Sequence, residues 1–162
     1  RRDSTMLNCH ILKVKTRDIG NGPGIRVSVW VAGCSHQCKG CHNPDTWKWN
    51  QGTSLTQNAI DLILQNCKPK HIRGLTLTGG DPLFPKNREG ITELCKQFKE
   101  MFGNTKSIWL WTGYNYEDIK DLNIIKYLDT IVDGKYMEEY KDVSLPYAGS
   151  SNQRIINLWS TN

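Results

Sequence analysis

The chain has 162 residues, 38% hydrophobic and 23% charged, with six tryptophans and six tyrosines. This composition excludes a disordered chain, and the length fits one domain. The formal net charge of +5 comes without a Lys/Arg block, so we interpret it as general surface charge rather than a nucleic-acid site. No apolar run reaches the roughly 18 residues of a membrane span.

The N-terminal residues 1–20 are treated as an extension with a first segment, and residues 21–162 are predicted to form a single domain. No apolar stretch follows Arg1–Met6, so a signal peptide is not predicted, and Met6 is a candidate native start. The six cysteines would suit a disulfide framework only in a small secreted chain. We therefore expect reduced thiols and a cytoplasmic protein, with Cys9, Cys67 and Cys95 as structural thiols.

Short apolar strands alternate with helical stretches along the chain. Strands are predicted at about 25–32, 74–78, 107–111, 130–132 and 154–158, and helices at about 55–67 (capped by Thr53 or Ser54), 86–102 and 115–127. This alternation predicts an α/β fold with a parallel sheet. A full eight-unit barrel takes about 250 residues, so we expect an incomplete parallel β/α barrel, an arc of four to six strands.

Unusual residues follow the predicted strands. The cysteine loop 34–41 follows the first strand, Gly79–Pro82 the second, Thr112–Tyr114 the third and Asp133–Lys135 the fourth. Chemistry in barrels and open α/β sheets gathers beyond the carboxyl ends of the strands. These four segments are therefore expected to converge at one edge of the sheet.

The cysteine loop has the spacing C-x3-C-x2-C, formed by Cys34, Cys38 and Cys41. Iron–sulfur cubanes usually take four cysteines. Three thiolates on one loop would hold three irons and leave the fourth open to a small molecule.

Structural zinc is the alternative for this loop, because zinc also binds closely spaced cysteines but requires four ligands. His36 or His42 could supply the fourth ligand, and Cys67-x3-His71 is a possible second half. The Gly-Gly-Asp-Pro and Asp-Gly-Lys turns are not needed for zinc, and they favour the cluster.

Six motifs occur in order along residues 20–157: Asn21–Arg26, Gly33–Asn43, Gly79–Pro82, Trp111–Tyr114, Val132–Lys135 and Gly149–Gln153. Together they resemble the radical S-adenosylmethionine (SAM) superfamily, and within it the activating enzymes of glycyl-radical enzymes. One departure is Trp30, where these enzymes usually carry Phe or Leu. We expect it to change packing rather than chemistry.

The resemblance implies a radical SAM oxidoreductase with a 4Fe–4S cluster on Cys34, Cys38 and Cys41. One electron from the cluster would split SAM into methionine and a 5′-deoxyadenosyl radical, which would take a hydrogen from a glycine of the partner. The implied partner is the large catalytic subunit of the anaerobic ribonucleoside-triphosphate reductase. A flavodoxin or a thioredoxin-type reductant is the implied electron donor, and neither a membrane nor nucleic acid is expected to bind.

The resemblance also assigns SAM-binding residues. They are Gly79, Gly80, Asp81, Asp133, Lys135, His42 and Asn43. The two glycines let the backbone approach a ligand, and Lys135 can donate to the SAM carboxylate. The alternative is that both turns are ordinary turns, the second with a surface ion pair of little value.

Two further features each have two possible interpretations, and a third argues against a cation site. Ser150–Gln153 either turns the chain before the last strand or contacts SAM or the partner. Arg26 either lies against the cofactor or takes part in a surface ion pair. Trp111 stands where other activating enzymes carry an aspartate of a cation site, so no cation site is expected.

Two other functions stay open at this point. One is a radical SAM enzyme that acts on a small molecule, and the other is a zinc-stabilised binding module. The short chain leaves little sequence for a lid or pocket, which favours a protein substrate over a small molecule.

Overall fold

The computed structural model describes residues 6–34 and 52–158, which form seven strands and three α-helices. The strands are β1 (Met6–Asp18), β2 (Ile25–Val31), β3 (Thr53–Thr56), β4 (Ile72–Gly79), β5 (Ser107–Trp111), β6 (Thr130–Asp133) and β7 (Arg154–Asn157). The helices are α1 (Gln57–Cys67), α2 (Arg88–Phe102) and α3 (Tyr116–Ile119), with short 3-10 helices at Pro85–Asn87, Asn123–Tyr127 and Glu138–Tyr140. No helix in the described ranges is long and apolar enough to cross a membrane.

The strands form one sheet in the order β3-β1-β2-β4-β5-β6-β7. β2, β4, β5 and β6 are parallel, whereas β1, β3 and β7 pair antiparallel with their neighbours. The predicted α/β class with parallel central strands is confirmed. The expected count of four to six strands is wrong for the described residues, because antiparallel strands extend the parallel centre on both sides.

The strand β1 lies in the segment that the sequence indicated only as an extension. It pairs with both β2 and β3. Its Cys9 and Ile11 are buried, but residues 13–17 are exposed. Five consecutive residues of the strand therefore lie outside the core, and its hydrophobic alternation is too short to indicate a strand.

Two predicted helices differ from the observed ones. The first begins at Gln57 rather than near residue 55, because Leu55 is buried in β3 and the hydroxyl of Thr56 accepts the capping bond from the Ala59 amide at 3.1 Å. The stretch 115–127 is split into α3 and a 3-10 helix, since Leu122 between them has an extended backbone (φ −68°, ψ 144°).

The sheet buries one face against the helices, and α1 contacts β2 and β4 there. Alternate residues of the central strands fill this core: Val27, Val29, Leu75, Leu77, Ile108, Leu110 and Ile131. Because side chains alternate along a strand, Trp30 lies on the opposite face. The Lys13 ammonium lies 4.2 Å from the centre of its ring, and a change in packing rather than chemistry at Trp30 stays a prediction.

Arg26 is fully buried at the amino-terminal ends of the parallel strands. Its guanidinium donates to the Thr76 hydroxyl at 2.9 Å and to the Ser107 carbonyl at 2.8 Å. Burial lowers its pKa to about 10. The interpretation of Arg26 as part of a surface ion pair is wrong, because its side chain is not exposed. The interpretation as a cofactor contact is not supported either, because Arg26 lies at the end of the sheet opposite the edge that carries Cys34.

Cys9, Cys67 and Cys95 belong to the hydrophobic core, and each is fully buried. Burial raises the pKa of the Cys9 and Cys67 thiols to about 12 and also raises that of Cys95. The structure therefore agrees with their interpretation as structural thiols. It does not support Cys67 and His71 as half of a zinc site, since Cys67 is buried in α1 and His71 is exposed.

These burials predict a pattern of alkylation. In the native apo-protein at pH 8, we expect iodoacetamide to leave Cys9, Cys67 and Cys95 unmodified, because the thiolate is the nucleophile and almost none is present at that pH. Peptide mass mapping measures the outcome, with protein unfolded in guanidinium as the control in which all six cysteines react. Labelling of any of the three before unfolding would contradict the packing described above.

Candidate functional site

The carboxyl ends of the four parallel strands lie side by side, and the segments that follow them are bonded to one another. The Gly80 amide donates to the Val31 carbonyl at 2.9 Å, which joins the end of β4 to the end of β2. The Gly134 amide donates to the Tyr114 carbonyl at 3.0 Å, which joins the end of β6 to the end of β5. The predicted convergence at one edge is confirmed for the described residues.

Cys34 is the described member of the cysteine trio. It follows β2 after Ala32 and Gly33, and it is half-buried at this edge. The remaining predicted residues of the loop lie outside the described residues, and their roles stay predictions: His36, Cys38, Cys41, His42 and Asn43.

Gly79 ends β4 with a positive φ of +121°, a conformation that favours glycine. A Cβ at this position would lie 2.4 Å from the Val31 nitrogen and 2.5 Å from the Val31 oxygen. The space that a side chain would need is therefore taken by β2. Gly79 and Gly80 are both half-exposed, so their backbone borders the open edge beside Cys34.

Asp81 is almost fully buried, with 1% of its surface exposed. Its carboxylate accepts hydrogen bonds from the Leu83 amide at 2.9 Å, the Thr112 hydroxyl at 2.8 Å and the Gly113 amide at 2.9 Å. The side chain thus joins the end of β4 to the end of β5. Its predicted contact with SAM stays a prediction, whereas this joining role was not indicated by the sequence.

Asp133 is fully buried, and Lys135 two residues later is exposed. The Arg154 guanidinium donates to both Asp133 oxygens, at 2.5 and 3.1 Å, and the Tyr116 amide donates at 2.7 Å. The alternative of an exposed turn is therefore wrong for Asp133. Its ion-pair partner is Arg154, which the sequence indicated only as the start of a strand.

Arg154 also binds a second carboxylate, that of Glu117, at 2.8 Å. The hydrogen bond from Arg154 lowers the pKa of Glu117 to about 2. The hydrogen bonds to Asp133 and Glu117 in turn raise the pKa of Arg154 above its ordinary value. The arginine therefore connects β7, the end of β6 and the start of α3.

The segment Gly149–Gln153 supports the turn that carries Lys135. The Asn152 side-chain amide donates to the Lys135 carbonyl at 2.8 Å, and that of Gln153 donates to the Gly134 carbonyl at 3.0 Å. The Gln153 side-chain oxygen accepts from the Gly149 amide at 2.8 Å. Turning and supporting the chain is the interpretation that the structure shows, and a contact with SAM or a partner stays a prediction.

The fork geometry of Arg154 gives a second prediction. Replacing Arg154 by lysine keeps the charge but loses the bidentate contact, so we expect a loss of about 1–2 kcal/mol in the free energy of unfolding. Urea denaturation of the apo-protein measures this loss. Arg17→Lys is the control, because Arg17 is exposed on β1, and a loss as large in that protein would contradict the argument.

The arrangement can present a thiol, a glycine backbone and an ammonium group at one edge. The Asp133 carboxylate is paired with Arg154, and the exposed Lys135 can offer its ammonium group to a carboxylate of a ligand. Within residues 6–34 and 52–158, no three His, Cys, Asp or Glu side chains lie close enough to hold a metal ion. The thiolate of Cys34 fits an iron–sulfur cluster as a ligand type, and the other expected ligands belong to the loop that follows it.

Comparisons with known proteins bear on this edge. A family described as a 4Fe-4S single cluster domain matches residues 20–156. The chain is 48% identical to the anaerobic ribonucleoside-triphosphate reductase-activating protein of Enterobacteria phage T4 over 88% of each chain. The proteins of the same name from Vibrio cholerae serotype O1 and Escherichia coli strain K12 are 42% and 38% identical, over 85% and 87% of this chain and 91% and 94% of theirs. These matches favour an iron–sulfur cluster over zinc.

Proposed function

The chain belongs to the anaerobic ribonucleoside-triphosphate reductase-activating proteins and contains a 4Fe-4S single cluster domain, and we propose that it activates that reductase by radical SAM chemistry. Cys34, Cys38 and Cys41 would hold the cluster. When bound and reduced, the cluster supplies the electron that splits SAM into methionine and a 5′-deoxyadenosyl radical, which removes a hydrogen from one glycine of the large catalytic subunit.

The observation that carries the proposal is the position of Cys34. Cys34 follows the end of β2, at the edge where hydrogen bonds join the ends of β4, β5 and β6. The half-exposed Gly79–Gly80 backbone lies on one side of it. A ligand held at Cys34 would therefore contact the backbone of the neighbouring strand end.

The chain's own residues would bind and orient SAM. The proposed set is Gly79, Gly80, Asp81, Asp133, Lys135, His42 and Asn43. Lys135 is exposed on a turn that Asn152 holds at its carbonyl, so its ammonium can donate to the SAM carboxylate. The buried carboxylates of Asp81 and Asp133 fix the strand ends around it.

The finer proposal for the fold is the incomplete β/α barrel of the radical SAM type. The parallel order β2-β4-β5-β6 and the helix-covered face of the sheet support it. An arc that does not close leaves one side accessible to a large partner, and the large reductase subunit is the partner proposed. A flavodoxin or a thioredoxin-type reductant in the cytoplasm is the proposed electron donor.

Anaerobic reconstitution with iron and sulfide tests the function. With dithionite and SAM, the protein should release 5′-deoxyadenosine. When the large reductase subunit is added, electron paramagnetic resonance should show a glycyl radical. Release of 5′-deoxyadenosine without a radical on the reductase would indicate an enzyme acting on a small molecule. One zinc per chain with no inorganic sulfide would indicate a binding module.

A further inference from the structure

The backbone that leads from β2 to Cys34 is held at three consecutive carbonyls. The carbonyls of residues 31, 32 and 33 accept, in order, from the Gly80 amide at 2.9 Å, the Asn87 side-chain amide at 2.8 Å and the Asp81 amide at 2.7 Å. All three donors come from the segment after β4. Two of the bonds are between backbone groups, so Asn87 is the side chain on which this contact depends.

Asn87 is fully buried, and its side-chain amide also donates to the Asp81 carbonyl at 3.1 Å. It lies directly before α2, where asparagine commonly caps a helix through its side chain. Here it makes no capping bond, because the preceding 3-10 helix runs into α2 and gives Asn87 a helical backbone (φ −92°, ψ −19°). The side chain instead contacts Ala32, 55 residues earlier in the chain.

We infer that Asn87 is a positioning residue for the iron–sulfur cluster, an inference that rests on the proposed function. Its amide fixes Ala32, whose own N–H donates to the His10 carbonyl of β1 at 3.0 Å. Ala32 is thereby held from both sides, two residues before the first cluster cysteine, Cys34. Loss of the Asn87 donor would leave the buried Ala32 and Asp81 carbonyls without that bond, and the chain would shift where it delivers the thiolate.

The experiment replaces Asn87 by leucine, which has a similar size and no donor. Outer-shell partners of metal ligands typically contribute 10- to 100-fold to affinity. We expect N87L, reconstituted anaerobically, to lose iron to a chelator about 10-fold faster than the wild-type protein, and the resonance spectrum of its reduced cluster to change. If N87L is insoluble, N87S serves instead, since one hydroxyl hydrogen cannot bond both carbonyls.

Two controls separate positioning from general stability. Asn66→Ala removes a side-chain amide bond of the same type, from Asn66 to the Leu62 carbonyl at 2.8 Å, within α1. Ile63→Ala removes buried volume from α1 and should lower the melting temperature of the apo-protein. Both should lose iron at the wild-type rate and give the wild-type spectrum.

The outcomes are distinct. If N87L loses iron at the wild-type rate and gives the wild-type spectrum, the inference is overturned. It is also overturned if the rate of iron loss rises with the fall in melting temperature to the same degree in N87L and Ile63→Ala. A wild-type protein that takes up no iron and sulfide would overturn the proposed function, and the inference with it. Faster iron loss confined to the Asn87 variants would support both.

Discussion

Cys38→Ser protein is expected to release no 5′-deoxyadenosine above background when it is supplied with dithionite and SAM. A serine hydroxyl is a poor replacement for a soft thiolate ligand of iron, so under the proposed ligation the cluster would have two protein ligands instead of three. We expect the amount of product to fall roughly 100-fold or more. Loss of a direct ligand should cost at least as much as loss of a residue that supports a ligand, for which the largest typical effect is about 100-fold. Chromatography of the product and analysis of iron and sulfide measure it.

The matched control is Cys95→Ala. Cys95 is fully buried in α2, and burial raises the pKa of its thiol. Its loss should cost about 1 kcal/mol of stability and leave iron, sulfide and product near the wild-type values. Product formation that survives in Cys38→Ser would show that the cysteine spacing has been misinterpreted.

Asp81→Asn is expected to destabilise the apo-protein by about 3 kcal/mol, because a buried carboxylate with three donors is replaced by an amide that cannot accept from all of them. For a chain of this size, the melting temperature should fall by roughly 6–12 °C. The effect requires no cofactor, because the donors of Leu83, Thr112 and Gly113 are all within the protein. Thermal unfolding followed by circular dichroism measures it.

Asp142→Asn is the control for this substitution. The Asp142 carboxylate accepts from the Ser144 amide two residues later at 3.0 Å, as Asp81 accepts from Leu83, but Asp142 is only half-buried. Its replacement should change stability by less than about 0.5 kcal/mol. If Asp81→Asn melts like the wild-type protein and only SAM binding is lost, the role of Asp81 is contact with SAM rather than joining the strand ends.

The sequence indicated the place of the site because that place follows from topology. Parallel strands end at one edge, so the cysteine loop, Gly79–Asp81 and Asp133–Lys135 could be brought together without knowledge of any side-chain contact. The cysteine spacing and the ordered motifs then indicated the chemistry. The family match over residues 20–156 agrees with the iron–sulfur part of that chemistry.

The sequence did not predict which residues the buried polar side chains bond. Asp133 and Arg154 are 21 residues apart, and Asn87 and Ala32 are 55 residues apart. No local pattern marks either pair, since each depends on how the loops after the strands fold back. Asn87 does carry one local signal, because an asparagine at the start of a helix is expected to cap that helix with its side chain.

The bonded carboxylates at the strand ends have a consequence for how a cofactor would load. Asp81 and Asp133 find their donors during folding, so the rim formed by β4, β5 and β6 is preorganised before any ligand arrives. The conformational entropy of fixing that rim is lost once, when the chain folds, and it does not weaken each later binding event. Under the proposed function, successive SAM molecules would meet the same preorganised strand ends.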